Sequence, residues 1–254
     1  QVFGTVTKTA VATGADLMRY DGWSGSNYLQ QPYNSDLDFG TGDFSYMFWF
    51  SNSTDNSDNN LIHRAGGSLN TGGLLFQSKS NFGLNIWNKA NGVGFSGAYQ
   101  TFDYPPNVWN HLVYTRRGSV VYAYLNGKLV SSATDTTNMN LPAAKLRFGG
   151  RFDSTSNYFR GDLALFRASA TAPTPEQIKK IYNDEKHLFA TNAKATLYGT
   201  TNVVTALSYD DDTELLHVGT SAGRSEFQGL NRVNNTTDAV GTAISASNGF
   251  IVED

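Results

Sequence analysis

Where the carboxylates fall decides which hydrolytic chemistry this chain could perform. Its five glutamates are Glu176, Glu185, Glu214, Glu226 and Glu253, so the stretch from Gln1 to Pro175 has none. Cleaving a glycosidic bond takes two carboxyl groups flanking it, one to protonate the leaving oxygen and one to attack or to activate water. Aspartates could supply that pair, yet none stand at i, i+2 or i, i+4 within a core-facing strand, and Asp36 and Asp38 lie in a turn-like segment. No catalytic residue is expected. The absence of cysteine removes thiolate nucleophiles, disulfides and Cys-ligated zinc. The four histidines, His63, His111, His187 and His217, have no partners at metal-ligand spacing, and His111 reads as a satisfied core residue.

Two motifs match chemistry that their surroundings do not support. Gly92, Gly94 and Gly97 satisfy G-x-G-x-x-G, but a pyrophosphate site needs a helix to follow, and here Ala98–Pro106 follows. Gly219–Gly223 satisfies the nucleophile-elbow pattern, which also demands a helix, and Arg224–Phe227 reads as a strand. Both are turns. The run Asp55–Asn59 is oxygen-rich enough to meet a cation such as calcium, and a solvated loop explains it equally well.

Binding chemistry has better support. A saccharide is held by flat aromatic faces against its apolar side and by amides, carboxylates or guanidinium groups against its hydroxyls. Aromatics outside the alternating runs are the candidates: Trp23, Tyr33, Tyr99, Tyr104 and Tyr158. Asn27, Arg151, Asp153 and Asn157 are candidate polar companions.

These residues need a scaffold, and the scaffold reads as sheet. Only 16% of residues are charged and the formal charge is −3, which gives no electrostatic footprint for nucleic acid or an anionic membrane; no run is apolar enough to span a bilayer. Asp43–Ser51 places Phe44, Tyr46, Phe48 and Phe50 on one face and Ser45, Met47, Trp49 and Ser51 on the other, a strand's period of two. Trp109–Arg117 and Ser119–Asn126 read as a hairpin, and Asn126–Gly127 turns into Lys128–Ser132. Further strands are expected at 60–65, 73–78, 81–88, 145–149 and 158–168. One helix is announced by Thr174-Pro175-Glu176-Gln177, a capping box with proline at the first helical position. The pattern predicts an all-β, antiparallel two-sheet jelly-roll sandwich over 16–190 closed by this short helix. It follows an N-terminal arm or first strand (1–15) and precedes a β-rich tail (191–254).

Three segments in order carry a resemblance: Ser35–Phe50 (an acidic-glycine turn before an aromatic run), Trp109–Val130 (Trp-x-His, an apolar strand, a turn and Asn-Gly) and Tyr158–Phe189. They resemble the laminin-G-like branch of the concanavalin A-like lectin/glucanase superfamily over residues from about 20 to 190. The resemblance implies calcium as a cofactor to test, held by a carboxylate near the first strand (Asp21) and another in the closing strand. In the commoner closing pattern the second carboxylate stands where this chain has Ala164, leaving Asp162 as the candidate. The superfamily's glucanases present Glu-x-Asp-x-x-Glu on one strand, which is absent here.

Val204–Val233 resembles one blade of a β-propeller, with strands at 203–209, 214–219 and 224–227 and a polar extended segment after Gln228. Sandwich and tail together resemble structural proteins of tailed bacteriophages. That implies a non-catalytic virion surface or tail-fibre protein, located on the virion surface or tail, serving host-glycan adhesion or capsid/tail decoration. The partners implied are other virion proteins, a cell-surface glycan and further copies of the chain, a trimer by fibre analogy. The alternatives are an extracellular bacterial carbohydrate-binding module of a larger enzyme or adhesin, and a glucanase or polysaccharide lyase.

Overall fold

The computed structural model describes residues 1–52, 59–66, 73–89, 99–152, 156–194 and 196–254. They form two compact units, residues 1–9 with 19–180, and residues 10–18 with 181–254. These boundaries differ from those expected. The first residues form strands on sheet edges, residues 10–18 group with the C-terminal unit, and the changeover falls inside the helix.

In chain order the first strands are β1 (Val2–Phe3), β2 (Thr7–Ala10), β3 (Met18–Asp21), β4 (Tyr28–Gln31), β5 (Phe44–Ser51), β6 (Asn59–Ala65) and β7 (Gly73–Ser78). They continue with β8 (Gly83–Lys89), β9 (Tyr99–Asp103), β10 (Asn110–Arg117), β11 (Val120–Leu125), β12 (Lys128–Thr134), β13 (Lys145–Phe148) and β14 (Asp162–Ser169). They make two seven-stranded antiparallel sheets, ordered β1-β4-β13-β6-β7-β8-β9 and β12-β11-β10-β5-β14-β3-β2. This is the all-β sandwich that the alternation predicts. The helix α1 (Pro175–Glu185) begins where its capping box puts it: Gln177 Oε1 accepts from the Thr174 amide at 2.8 Å, and Thr174 Oγ1 accepts from the Gln177 amide at 3.3 Å.

The core lies between the sheets. Phe44, Tyr46, Phe48 and Phe50 of β5 share the inward face with Leu112 and Tyr114 of β10, their registered neighbours. Across the gap Phe76 of β7 meets Phe48 edge-on at 5.1 Å and Tyr114 at 5.9 Å, the T-shaped packing that aromatic quadrupoles favour. Trp49 and His111, on the opposite face of the second sheet, are also buried, their rings 5.0 Å apart.

One end of the sandwich is closed by two buried arginines. Arg116 donates to the carbonyls of Gly40 (2.7 Å), Gly42 (2.8 Å) and Thr137 (2.5 Å). Arg64 donates to the Met139 carbonyl at 3.0 Å and forms a very short ion pair with Asp38. The segments 38–42 and 135–141 are thereby pinned to the sheets, and each buried guanidinium has acceptors to replace its lost water.

The second unit contains a four-stranded antiparallel meander, β15 (Val204–Asp210), β16 (Leu215–Thr220), β17 (Gly223–Gln228) and β18 (Asn231–Asn235), and a hairpin of β19 (Ile244–Ser247) and β20 (Phe250–Glu253). The three strands and extended tail expected here are corrected to six strands. Two of the added strands were hidden because Asn231–Asn235 and Ile244–Ser247 are too polar to show apolar alternation, and the apolar Phe250–Glu253 is too short to show a period. The hairpin is tied to the meander by Arg224, which donates to Glu253 (2.5 Å) and Glu226 (2.9 Å), and by Asp210, which accepts from the Gly249 amide at 2.7 Å. Gly219–Gly223 is the β16–β17 turn, with no helix after it. Gly92, Gly94, Gly97 and residues 55–58 lie outside the described residues.

Candidate ligand-binding site

Strands β3 and β14 pair antiparallel with Tyr20 opposite Leu163. That register sets Asp21 across from Asp162, and like charges placed so repel. Arg19, two residues before Asp21 on the same face, answers both: its Nη1 donates to Asp162 Oδ2 at 2.6 Å and its Nη2 lies 3.6 Å from Asp21 Oδ2. Nε of the same guanidinium donates to Thr9 Oγ1 at 2.9 Å. Burial pushes the Asp162 carboxyl above its ordinary pKa and Asp21 adds to the push, with Arg19 opposing.

Next to this triad a cavity of about 280 Å³ is lined by Asp21, Gly22, Trp23 and residues 158–162. Its shape depends on glycine. Gly22 has φ +73°, and a Cβ there would stand 2.7 Å from Thr7 Oγ1; at Gly161 it would stand 2.2 Å from the Ser51 carbonyl. Trp23 is the inner wall, 5% exposed, its Nε1 donating to the Gly161 carbonyl at 3.0 Å. Tyr158 is half-buried and bridges to Asn60, and the exposed Arg160 holds its guanidinium 5.7 Å from the Tyr158 ring. The opening thus offers an aromatic ring, a cationic donor and two carboxylates. A second, apolar cavity of about 130 Å³ shares the Trp23 wall and is lined also by Leu29, Phe148, Leu163 and Phe166.

Of the residues singled out in the sequence, Asp21, Trp23, Tyr158 and Asp162 meet in the larger cavity. Asn27 braces its rim, Nδ2 donating to the Gly22 carbonyl at 3.3 Å and Oδ1 accepting from the Thr5 amide at 3.0 Å. Asn157 precedes Tyr158 and its carbonyl accepts from the Asn60 amide at 3.2 Å. The others lie elsewhere. Tyr104 follows β9 in a loop, as expected, but its side chain is in the core, 3% exposed, its hydroxyl bonded to Asn52 and Ser78 at 2.9 and 2.8 Å. Tyr33 is 45% exposed at the arginine-closed end, donating to Asp38 at 2.8 Å. Tyr99 lies on the edge strand β9 opposite Trp87 rather than in a loop. The Arg151 carbonyl accepts from Arg147 at 3.0 Å, and Asp153 lies outside the described residues. Arg19 and Arg160 escaped the sequence reading; Arg19-x-Asp21, a charge pair on one strand face, was the available signal.

Calcium takes six to eight oxygen ligands. Here a guanidinium already lies against both carboxylates, and among the described residues no three His, Asp or Glu side chains come together. The residues present do not fit calcium while Arg19 stands between them. Among the described residues no helix is long and apolar enough to cross a membrane.

No curated protein matches the chain. Among solved structures, it is similar to domain 4 of AbnA, an extracellular arabinanase of glycoside hydrolase family 43 from Geobacillus stearothermophilus, solved with arabinotriose. The two are 18% identical with a TM-score of 0.55, over 70% of this chain and 82% of that one. It is also similar to the binding domain of botulinum neurotoxin serotype D/C (16%, TM-score 0.56, 92% of this chain and 58% of that one). The botulinum neurotoxin DC binding domain solved with SialylT matches at 16% and TM-score 0.56, over 96% of this chain. The chain spans only 59% of that domain. At such identities the likeness is one of fold. The family model described as the concanavalin A-like lectin/glucanases superfamily matches residues 24–179, more than half of the sequence, and the chain belongs to that superfamily.

Proposed function

We propose that this protein is a non-catalytic glycan-binding module whose ligand seats in the cavity bounded by Asp21, Trp23, Tyr158 and Arg160. The observation that carries the reading is the chemistry of that opening: a ring for the apolar face of a sugar beside charged groups for its hydroxyls, in a volume just under the ~300 Å³ at which small-molecule pockets begin. The charges of Arg19 and Arg160 balance those of Asp21 and Asp162, which suits a neutral saccharide. Asp21 and Asp162 are poor candidates for hydrolysis. They face each other across one strand pair and share one guanidinium, whereas a glycosidase holds its carboxyls about 5–9.5 Å apart on either side of the scissile bond.

The setting we favour is a virion surface or tail fibre, with the module serving host-glycan adhesion or capsid/tail decoration alongside other virion proteins. A sandwich followed by a lone blade-like meander supports it. The second reading is an extracellular module of a longer enzyme or adhesin. It is favoured by the fold shared with a domain of an arabinanase that was solved with arabinotriose.

A glycan array that includes arabino-oligosaccharides, followed by calorimetry on the hits, tests the binding. Tyr158→Ala and Arg160→Ala are each expected to weaken the best ligand tenfold or more, about 1.4 kcal/mol, while Arg117→Ala, outside the cavity, leaves it unchanged. Retention of full affinity by both cavity variants would move the site elsewhere. The second unit is proposed to self-associate, as a trimer, because Val204, Leu207 and Tyr209 of its edge strand and Phe250 and Val252 of its hairpin are exposed. Light scattering at micromolar concentration is expected to give a multiple of 27.7 kDa; a monomer removes this part.

A further inference from the structure

We infer that Arg19 is the resident cation of the carboxylate pair beside the cavity, doing for Asp21 and Asp162 what a bound divalent ion would otherwise have to do, so that the sandwich is independent of calcium because its cation is part of the chain. The register demands one: Tyr20 opposite Leu163 sets the two carboxylates face to face across β3 and β14, and both are mostly removed from water, their side chains 24% and 18% exposed. A guanidinium fits the need by geometry. One edge reaches Asp162 at 2.6 Å, the neighbouring nitrogen lies 3.6 Å from Asp21, and Nε is anchored on Thr9 Oγ1 of β2 at 2.9 Å. A single side chain therefore ties three consecutive strands of the sheet edge, β14, β3 and β2. Arg160, the cation that lines the cavity itself, lies toward Tyr158, 5.7 Å from the ring, and makes no ion pair with either aspartate among the described residues. Removing the Arg19 guanidinium leaves two facing carboxylates and the Thr9 hydroxyl, an oxygen set that a hard cation such as calcium accepts. The role of Arg19 is independent of the glycan reading, since its readout is stability.

The experiment is thermal unfolding of wild type, Arg19→Gln and Arg19→Gln/Asp162→Asn, each in chelator and in millimolar calcium chloride. Wild type is expected to melt at the same temperature in both, within about 1 °C. Arg19→Gln is expected to melt about 3–6 °C lower in chelator and to regain about 3 °C or more in calcium, the shift a ligand well above its dissociation constant produces. The double variant relieves the repulsion, melting above Arg19→Gln in chelator, and loses the calcium response. A chelator-sensitive wild type overturns the inference, and so does an Arg19→Gln protein whose melting is unmoved by calcium. Should Arg19→Gln not fold in chelator, refolding with and without calcium decides: recovery only with calcium supports the role, and recovery in neither overturns it.

Discussion

Replacing Asp38 with alanine is expected to destabilise the sandwich by about 3–5 kcal/mol, read as a lowered denaturation midpoint with unchanged slope. Arg64 is fully buried and, among the described residues, Asp38 is its one carboxylate partner, with a second bond to the Met139 carbonyl. Deleting the carboxylate strands a guanidinium in the core, and also frees the Leu141 amide and the Tyr33 hydroxyl, which Asp38 accepts at 3.0 and 2.8 Å. The cost belongs to the orphaned charge, so removing both ions should cost less: Asp38→Ala/Arg64→Met is expected to recover much of the loss. A double variant no more stable than the single one would mean that closing the sandwich end, rather than pairing the charge, is what Asp38 supplies. Acid makes the same point. Burial raises the Asp38 pKa, but the bonds from Leu141, Tyr33 and Arg64 outweigh it and hold the group below the ordinary carboxylate value. A lowered pKa gives stability that is present above the unfolded value, near pH 4, and lost as pH falls through the folded one. Asp162, with its pKa raised, has the opposite sign: its contribution is present in acid and lost as pH rises. The acid limb of a stability–pH profile should therefore flatten in Asp38→Asn, while Asp162→Asn should gain stability relative to wild type as acid is removed, insofar as it keeps its bond to Arg19.

How much of this could be read from the residues alone differs between elements for definite reasons. β5 was plain because Phe44–Ser51 alternates without a break and its inward ring set has no other use. The helix was plain because its capping box is local. Strands β3, β4 and β9 were not, because four- or five-residue runs such as Tyr28–Gln31 are too short to show a period; they are strands because their neighbours pair with them. The site was half visible. Asp21 and Asp162 could be nominated from the resemblance, but Arg19 reaches Asp162 across 143 residues of sequence, and nothing local announces that register. The two arginines that close the other end went unread for the same cause: each faces backbone carbonyls from segments far along the chain.

Trp23 separates packing from recognition, and its replacement by alanine is the second large effect expected, about 3–5 kcal/mol of stability. A tryptophan in a glycine- and serine-rich loop reads as a platform for sugar. Here it is a wedge. The indole packs into the core cluster beneath two close backbone approaches: a Cβ at Gly149, where φ is +83°, would stand 2.2 Å from its Cε3, and its Nε1 is bound to the Gly161 carbonyl. Alanine removes the shared wall of both cavities and leaves that carbonyl without its donor, so transfer, cavity and hydrogen-bond losses coincide. Trp23→Phe should keep most of the wall and lose the bond, costing about 1–2 kcal/mol beyond the lost contacts. Gly149→Ala should fail by the same contact approached from the other side. Any loss of glycan binding in Trp23→Ala is then a loss of the floor on which Tyr158 and Arg160 stand. Binding and unfolding measured on the same variants tell the two roles apart: Tyr158→Ala and Arg160→Ala should lose affinity at little cost in stability, whereas Trp23→Ala should lose stability first. A Trp23→Ala protein that melts with wild type but no longer binds would make the indole a contact after all.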